Sequence, residues 1–234
     1  ISMRVDIASK MYEFKNENIL FEGAQGAMLD IDSGTYPYVS SGASGSYGAA
    51  SGSGIGPRAI DKVYGVFKAY QTRVGNGPMP TEFNEDSEGE LCDYVRKTGN
   101  EFGVTTGRAR RCGYLDLVAL RYACHVNSID SLVLTHLDVY DQMEEIEACI
   151  AYEIDGQIVT DFPASIPLLQ KAKPVLQKFK GWKSPIKEIK SYKKLPKEAK
   201  EYIDFIEAYT ETKVGIVSVG PDRTQTFNRE KIWK

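Results

Sequence analysis

GYLDLVALRYACHVNSIDSLVLTHLD, residues 113–138, runs from an amphipathic helix through an apolar strand into a polar turn. The run Ser131 to Leu134 is short and apolar, which is typical of a buried strand, and Thr135-His136-Leu137-Asp138 follows it directly. A helix that leads into a buried strand predicts one unit of an α/β fold. The apolar side chains at helical spacing are Leu115, Val118, Ala119, Tyr122 and Val126.

The alternation continues towards the carboxyl end. Cys149 to Thr160 predicts a hairpin that turns at Asp155-Gly156, a favoured two-residue turn. Pro196 opens a predicted helix, and Val214 to Val217 predicts a final strand that ends in Ser218-Val219-Gly220. The apolar face of that helix consists of Ala199, Tyr202, Ile203, Ile206 and Tyr209.

Towards the amino end, Asn18 to Phe21 predicts a buried strand that delivers the turn Glu22 to Gly26. The glycine-rich stretch Ser40 to Gly56 is either a flexible linker or a loop that presents backbone N–H groups to an anion. Pro57 suits the first turn of a helix. Apolar residues at helical spacing predict one helix from Ile60, Val63, Tyr64, Phe67 and Tyr70, and another from Leu91, Tyr94, Val95 and Thr98.

These elements predict an α/β fold: a largely parallel sheet flanked by helices, with a small β-hairpin and helical carboxy-terminal additions. Ligands of such sheets collect beyond the carboxyl ends of the strands. Three polar clusters follow strand-like runs, namely EGAQG (22–26), THLD (135–138) and SVGPDR (218–223). A binding site is therefore predicted at this edge of the sheet.

Composition limits the classes of function. The 234 residues carry a net charge of −3, so no overall basic field points to nucleic acid as a partner. No apolar run reaches the length of a membrane span. The four cysteines form no Cys-x-x-Cys pair and there are two histidines, which argues against a zinc site and for a reduced, cytosolic protein.

The loop FGVTTGRARRCGYLD, Phe102 to Asp116, places Arg108, Arg110 and Arg111 within four residues. Arginine presents planar forks of donors that fit carboxylate and phosphate groups. Gly107 lets the backbone come close to a ligand. The loop therefore predicts a clamp for a small dianion, and a solvated basic loop is the alternative.

Asp138 has the chemistry to read guanine. Its carboxylate can accept hydrogen bonds from both N1–H and the 2-amino group, a donor pair that adenine lacks. The alternative is an Asp that only starts a turn, and Asp141 lies nearby. The hydroxyl of Ser218 and the backbone amides near Gly220 could contact the same base, or form a simple Gly-Pro turn.

Three other polar features each have a functional and a structural interpretation. The amide of Gln25 could hold a base or phosphoryl group, or stabilise a turn. The pair Asp30 and Asp32 could bind a metal, or be exposed loop acids. Between Lys171 and Lys200 lie eleven lysines with interleaved aromatics, which suits either RNA binding or a partly helical solvated face.

With these motifs in place, the chain resembles the adenylosuccinate synthetase family over nearly its whole length from Asn18 onward. The motifs occur in the family's order and spacing. They are ILFEGAQG (19–26), LDIDSGTYPYV (29–39), GPMPTE (77–82), VTTGRARRCGYLDL (104–117), LTHLDVYD (134–141) and VGIVSVGPDRTQT (214–226).

The resemblance implies a ligase of AMP biosynthesis that makes adenylosuccinate from IMP, L-aspartate and GTP, with Mg²⁺. GTP phosphorylates the 6-oxygen of the hypoxanthine, and the aspartate amino group then displaces that phosphate. Gln25 is implied to contact IMP and the 6-phosphoryl group. Ser40, where the family usually has threonine, keeps a hydroxyl for IMP, and Arg108 also reaches IMP. The loop implied to close on aspartate is Val104, Thr105, Thr106, Gly107, Arg108, Ala109 and Arg110.

The implied GTP contacts lie at the strand ends. Asp138 reads guanine, helped by Ser218 and Gly220, and Arg110 reaches the GTP side. Many relatives have lysine at the position of His136. The complete implied GTP set is Arg110, His136, Leu137, Asp138, Ser218, Val219 and Gly220.

The family's amino-terminal phosphate loop, GDEGKGK, is absent from this sequence, and the catalytic aspartate and histidine go with it. Residues 1–234 are therefore expected to be the carboxy-terminal portion of one synthetase domain. Region 18–160 carries the aspartate, IMP and guanine residues, and region 161–234 completes the guanine site. The expected protein is a cytoplasmic homodimer, its Mg²⁺ ligands lie mainly in the absent half, and residues 1–234 alone are inactive. The alternative is a non-catalytic nucleotide- or RNA-binding module that uses the lysine-rich segment 171–200.

Overall fold

The computed structural model describes residues 4–103 and 107–232. Its helices are α1 (Ile7–Glu13), α2 (Tyr47–Ser53), α3 (Glu85–Thr98), α4 (Leu117–Asn127), α5 (Ile166–Lys171) and α6 (Lys197–Thr210). Its strands are β1 (Tyr64–Lys68), β2 (Gln71–Arg73), β3 (Arg111–Gly113), β4 (Leu115–Asp116), β5 (Ser131–Thr135), β6 (Glu145–Ile154), β7 (Gln157–Val159), β8 (Lys173–Lys180), β9 (Val214–Ser218) and β10 (Thr226–Asn228).

The main sheet has the order β1-β5-β9-β10. The first three strands run parallel and β10 is antiparallel to β9. Lys68 lies opposite Thr135, and Leu134 lies opposite Val217, so the three parallel strands end at one edge. The α/β class with a largely parallel sheet is confirmed.

A second sheet is built around β6, which pairs with parallel β4 and with antiparallel β7 and β8. The predicted hairpin is confirmed as β6 and β7. Its turn residues Asp155 and Gly156 have φ values of 50° and 80°, as two-residue hairpin turns require. The predicted helices near residues 91–98, 115–126 and 197–209 are confirmed as α3, α4 and α6, and the last strand is confirmed as β9.

Two predictions at the amino end are wrong. Asn18 to Phe21 forms no strand, and Leu20 is 76% exposed. Within the described ranges no strand pairs with this run, and its apolar side chains do not pack into the core. The helix predicted from Pro57 is a short 3₁₀ turn, Pro57–Ala59, followed by strand β1. Pairing with β5 outweighs the helical spacing there, and Gly65 makes room for the side chain of Ile129 at that contact.

Two further segments are now defined. The glycine-rich stretch contains helix α2, which ends at Gly54 with a φ of 71°. The lysine-rich segment is partly helical, as expected, since α5 ends and α6 begins within it, and it also contains strand β8, which pairs along most of β6. No helix in residues 4–103 and 107–232 is both long and apolar enough to cross a membrane.

Asp116 links the sheet built around β6 to α4. Its carboxylate caps the helix by accepting from the Ala119 amide at 2.9 Å, and it accepts the Tyr152 hydroxyl at 2.6 Å. The side chain is buried, and burial raises the pKa of Asp116 to about 6 despite these hydrogen bonds. The folded protein therefore holds a proton that the unfolded chain releases near pH 4.

We expect Asp116→Asn to flatten the dependence of stability on pH. Because the folded pKa is raised, the wild-type free energy of unfolding falls as pH rises from about 4 to about 6, by on the order of 2 kcal/mol. Asparagine also caps helices and does not titrate. Urea unfolding across this pH range should give a smaller slope for Asp116→Asn than for wild type. An identical slope in Asp116→Asn would contradict the assignment.

Candidate functional site

The carboxyl ends of β5 and β9 bring the two predicted guanine-binding clusters side by side. After β5, His136 has a φ of 58°, and the chain then enters a 3₁₀ helix, Leu137–Tyr140. Asp138 lies in that helix and is 8% exposed. After β9 come Ser218, Val219 and Gly220. We call residues 135–138 and 218–220 the strand-end site.

The β9 side of the strand-end site is a tightly bonded turn. The Ser218 hydroxyl donates to the Gly220 carbonyl at 2.8 Å, and the Val219 amide donates to the Gln225 carbonyl at 2.9 Å. A Cβ at Gly220 would come within 2.2 Å of Oε1 of Gln225. That side chain cannot retreat freely, since it accepts from the Asp222 amide in a capping box. Glycine is therefore required at position 220.

The structure separates the roles of the two neighbouring acids, which the sequence left open. Asp141 accepts from Nε1 of Trp182 at 3.1 Å and from the Ile186 amide at 3.2 Å. Burial raises the pKa of Asp141. Asp138 instead pairs with Nζ of Lys187 at 3.4 Å. Asp141 thus stabilises the fold through two hydrogen bonds to buried residues. The side chain of Asp138 contacts only the half-exposed Lys187 among the partners described, so it is the candidate for ligand binding.

The arginine loop is closed at its base by backbone hydrogen bonds. The Gly103 amide donates to the Arg108 carbonyl at 2.8 Å, and the Gly107 amide donates to the Gly103 carbonyl at 2.7 Å. Phe102 and Ala109 form an antiparallel bridge. The predicted aspartate contacts Val104, Thr105 and Thr106 lie outside the described residues.

The three arginines of the loop differ in their surroundings. Arg111 is held by Glu82 and by the carbonyls of Gly75 and Gly77 at 3.1 and 2.9 Å, so it is structural. Arg108 is exposed. Nη1 of Arg110 donates to Oε2 of Glu101 at 2.7 Å. Arg108 and Arg110 therefore remain the candidates for ligand contact.

Glu101 connects the arginine loop to the strand-end site. Its side chain is fully buried and accepts from Nζ of Lys68 at 2.6 Å, from the Tyr70 hydroxyl at 2.5 Å and from Arg110. The Tyr70 hydroxyl also lies 3.2 Å from Nδ1 of His136. A continuous chain of hydrogen bonds thus runs from the arginine loop to the strand end.

The electrostatics of this chain follow from burial and pairing. Burial favours the neutral acid, but hydrogen bonds from Lys68, Tyr70 and Arg110 outweigh it and lower the pKa of Glu101. Burial, with the nearby Lys68 ammonium, lowers the pKa of His136. At neutral pH the carboxylate is therefore charged and the imidazole is neutral. Sequence reasoning missed Glu101, although its place as a lone acid just before three arginines was a usable signal.

Gln25 and Ser40 belong to a separate, amino-terminal loop. Gln25 is exposed with a φ of 60°, and the Ser40 hydroxyl donates to the Leu29 carbonyl at 2.9 Å. The organising group of this loop is Asp30, which accepts from the backbone amides of Asp32, Ser33, Ser44 and Gly45 at 2.6–3.0 Å.

The suggested metal pair is not supported by this arrangement. Asp30 is fully buried, and hydrogen bonds lower its pKa although burial alone would raise it. Its oxygens are occupied by backbone donors. Within the part of the chain that the structure describes, no group of three or more His, Cys, Asp or Glu side chains is placed to hold a metal ion. Asp30, whose oxygens are already occupied, is therefore not available to form a metal site with Asp32.

The lysine-rich segment carries a mixed-charge surface. Lys171 pairs with Asp155, Lys180 with Glu198, and Lys183 with Glu144. Exposed pairs of this kind contribute little to stability, but they lower the local positive field that an RNA backbone requires.

Comparisons with known proteins agree with this geometry. The family model described as adenylosuccinate synthetase matches residues 2–227. The adenylosuccinate synthetase of Clostridium perfringens is 50% identical over 218 residues, which are 93% of this chain and 50% of that protein. That of Brachyspira hyodysenteriae is 46% identical over 94% of this chain and 50% of its own length. The chain thus spans about half the length of the curated relatives it matches.

A solved structure supports the same relationship. The structure of fully ligated adenylosuccinate synthetase from Plasmodium falciparum superposes with a TM-score of 0.91 at 41% identity, covering 97% of this chain and 54% of that one. The sequence motifs, the parallel strand ends and these similarities agree along nearly the whole chain. The chain belongs to the adenylosuccinate synthetase family.

Proposed function

We propose that this chain is the carboxy-terminal portion of a GTP-dependent ligase that joins IMP and L-aspartate to form adenylosuccinate in AMP biosynthesis. The observation that carries the proposal is the buried Asp138 at the shared carboxyl edge of β5 and β9. A buried carboxylate at a sheet edge suits the paired donors of guanine, and its pairing selects against adenine.

The reaction has two steps in this proposal. The γ-phosphoryl group of GTP moves to the 6-oxygen of IMP as N1 of the hypoxanthine loses its proton, and GDP and that proton are released. The aspartate amino group then forms a bond to C6 and the C6–O bond breaks, which releases phosphate and a proton. Both steps place several negative charges close together, so cationic side chains are needed around them.

The described residues divide this work between two places. The strand-end site holds the guanine through Asp138, Ser218 and Gly220, and Glu101 fixes the direction of the Arg110 side chain. The arginine loop holds the aspartate carboxylates, and Arg108 and Arg110 face the two nucleotides. Gln25 and Ser40 contact IMP and its 6-phosphoryl group.

The remaining parts of the proposal concern the complete protein. The general base, the general acid and the Mg²⁺ ligands lie outside residues 1–234. The complete enzyme is a cytoplasmic homodimer. Regions 18–160 and 161–234 form one domain with the other half, and Lys171 to Lys200 is a solvated face rather than an RNA-binding surface.

The proposal is tested with the full-length protein and with residues 1–234 alone. We expect the full-length protein to form adenylosuccinate from IMP, aspartate and GTP, with kcat/KM for ATP lower by roughly 100-fold or more. Residues 1–234 alone should give no detectable product. Synthesis by residues 1–234, or equal use of ATP and GTP by the full-length protein, would contradict the proposal.

A further inference from the structure

We propose that Lys187 is a second specificity-determining residue of the guanine site, which donates a hydrogen bond to O6 of the base while Asp138 accepts from N1–H and the 2-amino group. This inference rests on the proposed function, since it concerns the same guanine nucleotide. Nζ of Lys187 lies 3.4 Å from Oδ2 of Asp138, and the Lys187 side chain is half exposed.

The fold fixes the backbone from which the Lys187 side chain extends. Asp138 and Asp141 lie one turn apart at the end of β5. Asp141 holds the indole of Trp182 and the amide of Ile186, the residue just before Lys187. Both Trp182 and Ile186 are buried. The backbone that carries Lys187 is therefore anchored to the same turn that carries Asp138.

The chemistry of the base edge explains why a cation belongs there. Along its Watson–Crick edge guanine presents, in order, the O6 acceptor, the N1–H donor and the 2-amino donor. A carboxylate that accepts from the two donors leaves O6 beside it as an acceptor, which a cation can serve in addition to the donors of the β9 turn. A lysine ammonium has three donors and no acceptor. It therefore stabilises O6 and repels the 6-amino group that adenine carries at the same place.

The carboxylate can serve both partners at once. An ionised carboxylate offers about four lone-pair sites, so Asp138 can accept from guanine and from Lys187 together. The ammonium also offsets the repulsion between this carboxylate and the phosphates of the nucleotide. The Lys187 side chain is half exposed, so its replacement by methionine opens no cavity in the core, and thermal unfolding of the variant checks that the fold is intact.

The test pairs a protein variant with a ligand variant in the full-length protein. Dissociation constants are measured for GDP and for 6-thio-GDP, whose sulfur is a weak acceptor but whose N1–H and 2-amino donors remain. We expect wild type to prefer GDP, and Lys187→Met to bind GDP roughly three- to tenfold more weakly with little change for 6-thio-GDP. Lys187→Arg should keep most of the preference, and the control Lys180→Met, on an exposed lysine paired with Glu198, should match wild type.

The outcomes separate this inference from the proposed function. If Lys187→Met binds GDP as tightly as wild type or more tightly, or weakens both ligands equally, Lys187 does not read O6 and the inference is overturned. Asp138→Asn is measured alongside. If neither Lys187→Met nor Asp138→Asn weakens GDP binding, the proposed guanine site itself is contradicted. If Asp138→Asn weakens GDP binding and Lys187→Met does not, only the role of Lys187 is contradicted.

Discussion

Glu101→Gln should destabilise the protein and weaken aspartate binding more than the loss of any surface ion pair. The carboxylate is fully buried and accepts from Lys68, Tyr70 and Arg110. A glutamine amide turns an –NH₂ donor towards these donors and leaves two cations without a counter-ion. Removal of one partner from such a network costs about 3 kcal/mol, reduced here because Lys68 and Arg110 are partly exposed.

The effect of Glu101→Gln on aspartate binding follows from the orientation of the Arg110 side chain. Without Glu101, the Arg110 guanidinium loses its fixed orientation at the base of the arginine loop. We expect the KM for aspartate of the full-length protein to rise roughly 10- to 100-fold, while the KM for IMP changes less. Urea unfolding and steady-state kinetics measure the two effects.

The pH dependence supplies an independent check on Glu101. Its folded pKa is lowered, so its contribution to stability is present above the unfolded pKa near 4.5 and is lost as pH falls through the folded pKa. Wild type should therefore lose more stability than Glu101→Gln below about pH 4.5. The exposed control Glu145→Gln, which loses the pair with Lys178, should cost about 0.5 kcal/mol or less. Equal effects of the two substitutions would contradict a special role for Glu101.

Much of the fold was predictable where local pattern and tertiary packing agree. The run Ser131 to Leu134 and the turn Asp155-Gly156 carry strong local signals, and both form as expected. The stretch from Pro57 shows the opposite case, because helical spacing at Tyr64 and Phe67 coincides with strand pairing to β5. The spacing of apolar residues alone cannot distinguish a helix from a strand that is half buried on both faces.

The candidate site was predicted where one residue carries the chemistry by itself. Asp138 was singled out by its place after a strand and by the family resemblance, and its guanine-reading role stays a prediction. The choice between Asp138 and Asp141 required the structure, because it depends on Trp182 and Ile186, more than forty residues away in sequence. Lys187 was missed for the same reason, as were the contacts of Glu101 with Lys68 and Tyr70, since these partners are brought together by folding.

Asp138→Asn should change which nucleotide the full-length protein uses. The asparagine Oδ1 still accepts from N1–H of guanine, but Nδ2 is a donor that faces the 2-amino donor. Two opposed donors leave buried groups unpaired, and we expect kcat/KM for GTP to fall roughly 100- to 1,000-fold. Xanthine carries an oxygen at C2, which accepts from Nδ2, so XTP should become the better substrate.

The effect should be specific to recognition of the base. Asparagine has nearly the same size as the buried Asp138 and keeps one acceptor oxygen, so we expect the stability to change little, and thermal unfolding checks this. The matched control Asp161→Asn removes a carboxylate from a 97% exposed side chain and should keep the wild-type preference. A similar fall in kcat/KM in this control would indicate a general effect of charge.

The account depends most on Asp138 as the group that reads guanine. The ratio of kcat/KM with XTP to kcat/KM with GTP, measured in full-length wild type and Asp138→Asn, tests this directly. We expect the ratio to lie below one in wild type and above one in the variant. A variant that retains the wild-type preference for GTP would contradict the guanine site at the ends of β5 and β9.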